Sequence, residues 1–382
     1  MVFLILLLVP LPIAVFGFIV LKGVTWKEVL AQVVVQALLA VSVAAIVSCQ
    51  NESDIEVWNG SVASKKQTWV SCSHSYSCNC RQECSGSGKD QRCSQKCDTC
   101  YEHSNDWDWD VYTTNREVVT IARVDRQGAF TPPRWTAVVI GEPTAVEHSY
   151  RNYIKAAPDT LFRHQGLKAK YQGRLPAYPG RVYDYYRLDR VVTVGVSLPD
   201  AAEWSAELTQ INAELGRARQ ANMIIVLVRN MPGEYYYALE EAWIGGKKND
   251  VVLVVSVDDA MKPQWAEVMA WTTRSIFKVK LRDDIMDEPV LDRKAAMAAL
   301  RTNVSTYFQR KPMKEFEYLR ASATPSTTQW VVTLLISVIT AIGLTWYFHV
   351  YDPFGPGGFR FNRLPWARRA PSWRRQPWEE GY

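Results

Sequence analysis

Three patterns of hydrophobic and polar positions follow one another along this chain. Runs free of Asp, Glu, Lys and Arg occupy 2–21, 29–48 and 330–348. A helix rises about 1.5 Å per residue, so each run is long enough to cross a hydrocarbon core of about 30 Å. Between them, 118–124, 134–140 and 181–196 are rich in β-branched and aromatic residues. Turn signals separate these runs at Pro132-Pro133, Gly173, Pro176 and Pro179-Gly180, which predicts strands. The stretch 149–161 is polar and aromatic and fits either a helix or a loop.

From Leu198 onward the period changes. Pro199-Asp200 opens a helix over 202–220, with Trp204, Leu208, Ile211 and Leu215 at helical spacing. An unbroken apolar strand, 223–228, comes next, then a helix over 234–243 and a polar loop at 244–250. A second apolar strand, 251–257, ends in Asp258-Asp259. A third strand is expected at 265–271 and a long helix at 292–318. Helices alternating with continuous apolar strands predict a parallel or mixed sheet covered by helices. The fold class expected is therefore α/β, with a small Cys-rich module, a β-rich segment and three transmembrane helices. The segments are a membrane hairpin (1–49), a Cys-rich module (50–112), the β-rich segment (113–197), the α/β domain (198–320), a last membrane helix (330–349) and a tail (350–382).

Charge orients these segments. The tail carries Arg360, Arg363, Arg368, Arg369, Arg374 and Arg375, and the first two apolar runs are separated by Lys22 and Lys27. Basic residues resist translocation, so both segments are expected in the cytoplasm and 50–328 outside it, at a cytoplasmic membrane. A cleaved signal peptide is the alternative for 2–21. Against it stand Pro10 and Pro12 in mid-run, the missing basic start and the lack of a small-residue cleavage site. Gln32 and Gln36, four apart on the second helix, either bond to a neighbouring helix or are simply tolerated. The net charge is +5, with much of the excess in the tail. Without a basic stripe interleaved with aromatics, nucleic acid is not an expected partner. Trp366, Trp373 and Trp378 beside the tail arginines suit a lipid interface.

The chain has eight cysteines: Cys49, just past the second apolar run, and Cys72, Cys78, Cys80, Cys84, Cys93, Cys97 and Cys100, flanked by His74 and His103. The intervening segment has almost no aliphatic core, so crosslinks or metal must hold it. In an oxidising compartment an even count predicts disulfides, with Cys49 paired into the cluster. Zinc is the alternative, because Cys97 and Cys100 have a ligand's bite and His74 and His103 add nitrogen donors. Asp106, Asp108 and Asp110, with Glu117 beyond, have a calcium loop's spacing. Val111 stands where that loop needs Gly. The other reading is a strand with acids on one face and tryptophans on the other. His148 and His164 are isolated, and no catalytic constellation emerges.

Order and motif together give residues 198–320 a resemblance to TPM domains, extracytoplasmic α/β modules commonly tethered to membranes. The resemblance rests on Leu198-Pro-Asp, Ile224-Ile-Val-Leu-Val228, Glu240-Glu-Ala-Trp243-Ile-Gly245, Lys247-Lys-Asn-Asp250 and Val251-Val-Leu-Val-Val255. The chain departs from the family at Val251, where a glycine is usual, and at Trp271-Thr-Thr-Arg, where a glycine-rich segment is usual. The resemblance implies calcium-type ligands at Asp250, Asp258 and Asp259, and in some members an acid phosphatase activity. The Cys module with Tyr101-Glu-His103 also resembles uncharacterised membrane proteins of large tailed phages. Two functions remain open: a non-catalytic, membrane-anchored interaction module whose partner is another envelope or membrane protein, and a metal-dependent hydrolase. Tyrosines such as Tyr183, Tyr185, Tyr186 and 235–237 suit contact surfaces as well as cores, which favours the first.

Overall fold

The computed structural model describes residues 10–20, 24–72, 74–86, 92–102, 106–121, 131–162, 166–183, 187–322, 326–351 and 353–354. In chain order the main elements are α1 (Pro10–Val20), α2 (Trp26–Glu52), β1 (Ser53–Val70), β2 (Ser75–Ser85), β3 (Arg92–Tyr101), β4 (Asp106–Thr113), β5 (Val118–Thr120), β6 (Pro143–Arg151) and β7 (Val191–Val194). Then come α3 (Ala201–Arg219), β8 (Asn222–Arg229), α4 (Glu234–Ala242), β9 (Asp250–Val257), β10 (Pro263–Ala270), α5 (Ile276–Met286), α6 (Arg293–Thr306) and α7 (Thr327–Tyr351). They form two compact units, one from Met1–Glu52 with Ser322–Tyr382, the other from Ser53–Ala321.

In the first unit α2 and α7 are long and apolar enough to cross a membrane. The first apolar run is described only over α1, and the tail arginines and tryptophans lie outside the described residues. Gln32 and Gln36 do not merely sit among apolar neighbours; they tie α2 to α7. Gln32 Nε2 donates to Ala341 O (3.0 Å) and Thr345 Oγ1 (3.2 Å). Gln36 Nε2 donates to Ser337 O (3.3 Å), and Ser337 Oγ returns a bond to Gln36 Oε1 (3.2 Å). A further rung joins Gln329 Nε2 to Asn51 Oδ1 (2.8 Å). Amides, hydroxyls and small residues are what helices use to pack where burial of apolar surface supplies no drive, each bond contributing about 0.6 kcal/mol.

The second unit holds two four-stranded sheets. In the mixed sheet, ordered β10-β9-β8-β7, strands β7, β8 and β9 run parallel and β10 is antiparallel. β8 and β9 are covered on both faces. Met223, Ile225, Leu227, Leu253 and Val255 pack with α3, α5 and α6 through Trp204, Leu208, Phe277 and Leu300. Ile224, Val226, Val252 and Val254 face the other way, onto Tyr235, Tyr236 and Leu239 of α4. Double coverage is why both strands carry unbroken apolar runs, 223–228 and 251–255, rather than alternating ones.

The antiparallel sheet, ordered β5-β4-β1-β6, is organised by β1. Its first half pairs with β6, from Ser53↔Arg151 to Ser61↔Pro143, and its second half with β4, from Val62↔Thr113 to Val70↔Asp106. Trp109 and Val111 of β4 are buried with Val62, Ile121 and Val138. The acidic stretch at 106–110 is thus a strand with tryptophans inward, not a calcium loop.

Two expected elements differ. The run 134–140 is not a strand. Pro133 starts a short helix, Pro133–Ala137, and Lys65 Nζ takes the carbonyls of Trp135 and Val138 (both 2.8 Å). The expected helix over 292–318 is two pieces. Asp292 caps α6 by accepting from Ala295 N (2.7 Å), and a 3₁₀ segment, Met313–Ser322, follows Pro312. Proline disfavours helix at the residue before it, so α6 cannot run on through Lys311. Of the run 181–196, Val191–Val194 forms a strand, and Tyr185 and Tyr186 lie outside the described residues.

The cysteines close a hairpin. β2 and β3 pair antiparallel, and Cys78–Cys100, Cys80–Cys97 and Cys84–Cys93 are disulfide-bonded. Cys84 and Cys93 are direct cross-strand partners, with Cα atoms 3.9 Å apart. The register shifts between Cys78 and Arg81, which lets Cys100 meet Cys78. Cys49 does not join the cluster: it is an exposed thiol in the other unit. Cys72 is buried, with Sγ 3.6 Å from His74 O, and takes no part in the three bridges.

Candidate functional site

The loop that carries the family resemblance, Lys247 to Asp250, is the centre of a buried polar cluster. Trp243 ends α4, and Ile244, Gly245 and Gly246 all take positive φ to turn the chain back. A Cβ on Gly246 would press on the Asp250 carboxylate, so glycine is required for the turn to close. Each loop side chain then finds a fixed partner. Lys247 Nζ bonds Asp54 Oδ1 (2.6 Å) and Lys248 Nζ bonds Glu56 Oε1 (2.9 Å). Asn249 Nδ2 donates to Val57 O (2.7 Å). Asp250 Oδ2 accepts from Lys247 N (2.7 Å) and Tyr178 Oη (2.7 Å), and its Oδ1 from Asn222 Nδ2 (2.9 Å).

The first half of β1 supplies the other wall. Asp54 also receives Asn152 Nδ2 (2.7 Å) and Tyr150 Oη (3.2 Å). Burial pushes its pKa up, but hydrogen bonding and charge from Lys247, with Asn152, outweigh that and leave it lowered. Glu56, fully buried, also takes Trp58 Nε1 (2.8 Å) and lies 3.5 Å from His148 Nδ1. Asn59 Nδ2 reaches Asn212 Oδ1 (3.2 Å), Ala221 O (3.1 Å) and Asn222 Oδ1 (3.1 Å), while its Oδ1 accepts from Arg190. Arg190 is lowered to about 10 by burial. Burial also lifts Asp250 to about 6 against the opposing hydrogen bonds.

These contacts lock strand β1 to the ends of β8 and β9 where the chain enters them. Asp250 opens β9, whereas Asp258 and Asp259 follow its last residue, Val257. Eight residues at about 3.3 Å each put about 25 Å between the two ends, so the three carboxylates do not converge on one cation. Asp258 Oδ1 instead closes a turn by accepting from Ala260 N and Lys262 N (both 2.9 Å), and Asp259 pairs with Arg229. His74 takes part in no metal-holding group, since among the described residues no three His, Cys, Asp or Glu side chains form one. His103 and His164 lie outside those residues.

Sequence reasoning did not find Asp54, Glu56, Asn59, Arg190 or Asn212. Asn212 carried a signal: it interrupts the apolar stripe of α3 one turn after Leu208, and it is fully buried. Compared with protein-family models, with curated proteins and with solved structures, the chain matches none.

Proposed function

We propose that this chain is a membrane-anchored, non-catalytic interaction module, in which a TPM-like α/β domain outside the cytoplasm presents the disulfide-stapled hairpin to another membrane or envelope protein. The observation that carries this reading is the hairpin itself. Its described side chains are exposed throughout, apart from half-buried Cys78 and Cys100. Three crosslinks hold in place an element that has no core to fold around. Tyr76 and Tyr101 stand exposed at its base, a composition that suits a contact surface. The acidic groups that a TPM-type hydrolase would use are occupied by protein donors, and Asp250 is far from the other two.

The test places a photo-crosslinking residue at Tyr76 or Tyr101 of the full chain in its native membrane, with exposed Tyr318 as reference. A discrete adduct from the hairpin positions, absent at Tyr318 and lost on reduction of the disulfides, is expected. Hydrolysis of a phosphomonoester by the full chain, abolished in Asp258→Ala, would overturn the reading in favour of the hydrolase.

A further inference from the structure

Apart from the polar lock, a concavity of about 200 Å³ is lined by Trp58 of β1, by Thr114, Asn115 and Arg116 of the turn between β4 and β5, and by Gly216, Arg217 and Gln220 at the end of α3. Two features of its making are legible. Gly216 lets α3 close onto β1, because a Cβ there would overlap the backbone of Asn59. Arg116, at φ +68, turns the chain so that the β4–β5 loop faces the helix end.

The wall holds unused donors and no acids. Neither Arg116 nor Arg217 is within ion-pair distance of a carboxylate among the described residues, unlike Arg301 and Arg293, which pair with Glu214 and Glu203. Thr114 Oγ1 accepts from Ser61 N (3.0 Å), which leaves its own O–H to donate. The Gln220 side-chain amide has no hydrogen-bond partner among the described residues either, its backbone N–H alone being taken, by Gly216 O. A basic residue in the last turn of a helix also complements the helix dipole, and this accounts for Arg217 alone. It does not account for Arg116, which reaches the same concavity from a different element. Two arginines, a hydroxyl and an amide line a space without carboxylates, a set of donors that matches a tetrahedral or planar oxyanion. Charge-assisted, forked bonds of this kind are the strong ones.

We propose that this pocket binds an anionic phosphoryl group, either as free phosphate or as the headgroup of an anionic lipid. The site is independent of the hairpin and of the interaction reading given above.

The experiment titrates inorganic phosphate into the full chain in phosphatidylcholine nanodiscs and reads binding by calorimetry. Saturable binding is expected, weakened by added salt. R217Q and R116Q/R217Q should each weaken it, the double variant by about tenfold or more, while R274Q at an exposed turn leaves it unchanged. Both arginines are exposed, so circular dichroism should show all variants folded. Repeating the titration in nanodiscs containing phosphatidylglycerol separates the sources. Loss of phosphate binding there, with phosphatidylglycerol retained by the wild-type chain and not by R116Q/R217Q, identifies the headgroup; unchanged binding identifies the free anion. Absence of phosphate binding in phosphatidylcholine, or binding indifferent to both arginine variants, overturns the proposal.

Discussion

Strands β8 and β9 and the hairpin β2–β3 are pieces of similar length held by opposite means. In β8 and β9 all positions but Arg229 are buried, and apolar burial on two faces does the work. In the hairpin almost every side chain meets water, and covalent bonds do the work. The comparison teaches how a single compact unit can carry an element whose sequence is free of packing demands. Crosslinks fix the backbone while the surface stays open to other uses. The β1 junction is a third solution, a buried polar lock in which each charge has a partner.

The largest effect should come from the packed strands. Leu253→Ala removes a fully buried side chain from the middle of β9 and should cost about 3–4 kcal/mol in urea unfolding of the full chain in detergent. Next comes the lock. Asn59→Ala takes one of three acceptors from buried Arg190 and one partner each from Asn212 and Asn222, a loss of about 2–3 kcal/mol by the same measurement. An equal cost for an exposed hairpin substitution such as Gln82→Ala would erase the contrast between the regions.

Asp250 gives a pH-dependent effect of similar or smaller size. Its folded pKa, about 6, lies above the unfolded value of 3.8, so the folded state holds the proton more tightly. The carboxyl's contribution to stability is therefore greatest below about pH 4 and declines as pH rises through 6, by up to about 2–3 kcal/mol. Asp250→Asn does not titrate, so its deficit relative to wild type should shrink from pH 4 to pH 7. Urea midpoints across that range check the sign; a deficit that grows with pH contradicts the burial argument. The smallest global effect is expected from Cys80→Ser/Cys97→Ser. Losing the central bridge should loosen the hairpin by about 2–4 kcal/mol locally, seen as faster amide exchange in 75–101, while the urea midpoint of the α/β core moves little.

The mixed sheet was legible because its signals are local. Continuous apolar strands and helical spacing on α3 each announce one element, and the elements alternate. β1 was not legible, because it buries Asp54, Glu56 and Asn59, and a strand with buried charges reads as surface until its partners, as distant as Lys248, are known. The run 134–140 misled for a related reason: its β-branched residues favour a strand, but Pro132-Pro133 and the distant Lys65 decide for a helix. The disulfide pairing did carry a signal. Cys84 and Cys93 flank the stretch rich in glycine and serine, and the paired cysteines step away from it nearly in register. The presumed cation ligands fail on geometry visible in the sequence, since a full buried strand separates Asp250 from Asp258. The loop that suggested them is instead the hub of the lock.

Mass mapping of the full chain, extracted from its membrane, alkylated without reduction and digested, tests the central claim most directly. That claim is that a self-contained ladder of crosslinks stands in for a core. The account predicts linked peptides joining Cys78 to Cys100, Cys80 to Cys97 and Cys84 to Cys93, with Cys49 alkylated. Recovery of the six hairpin cysteines as thiols released by a chelator, or of Cys49 linked into the cluster, would contradict it.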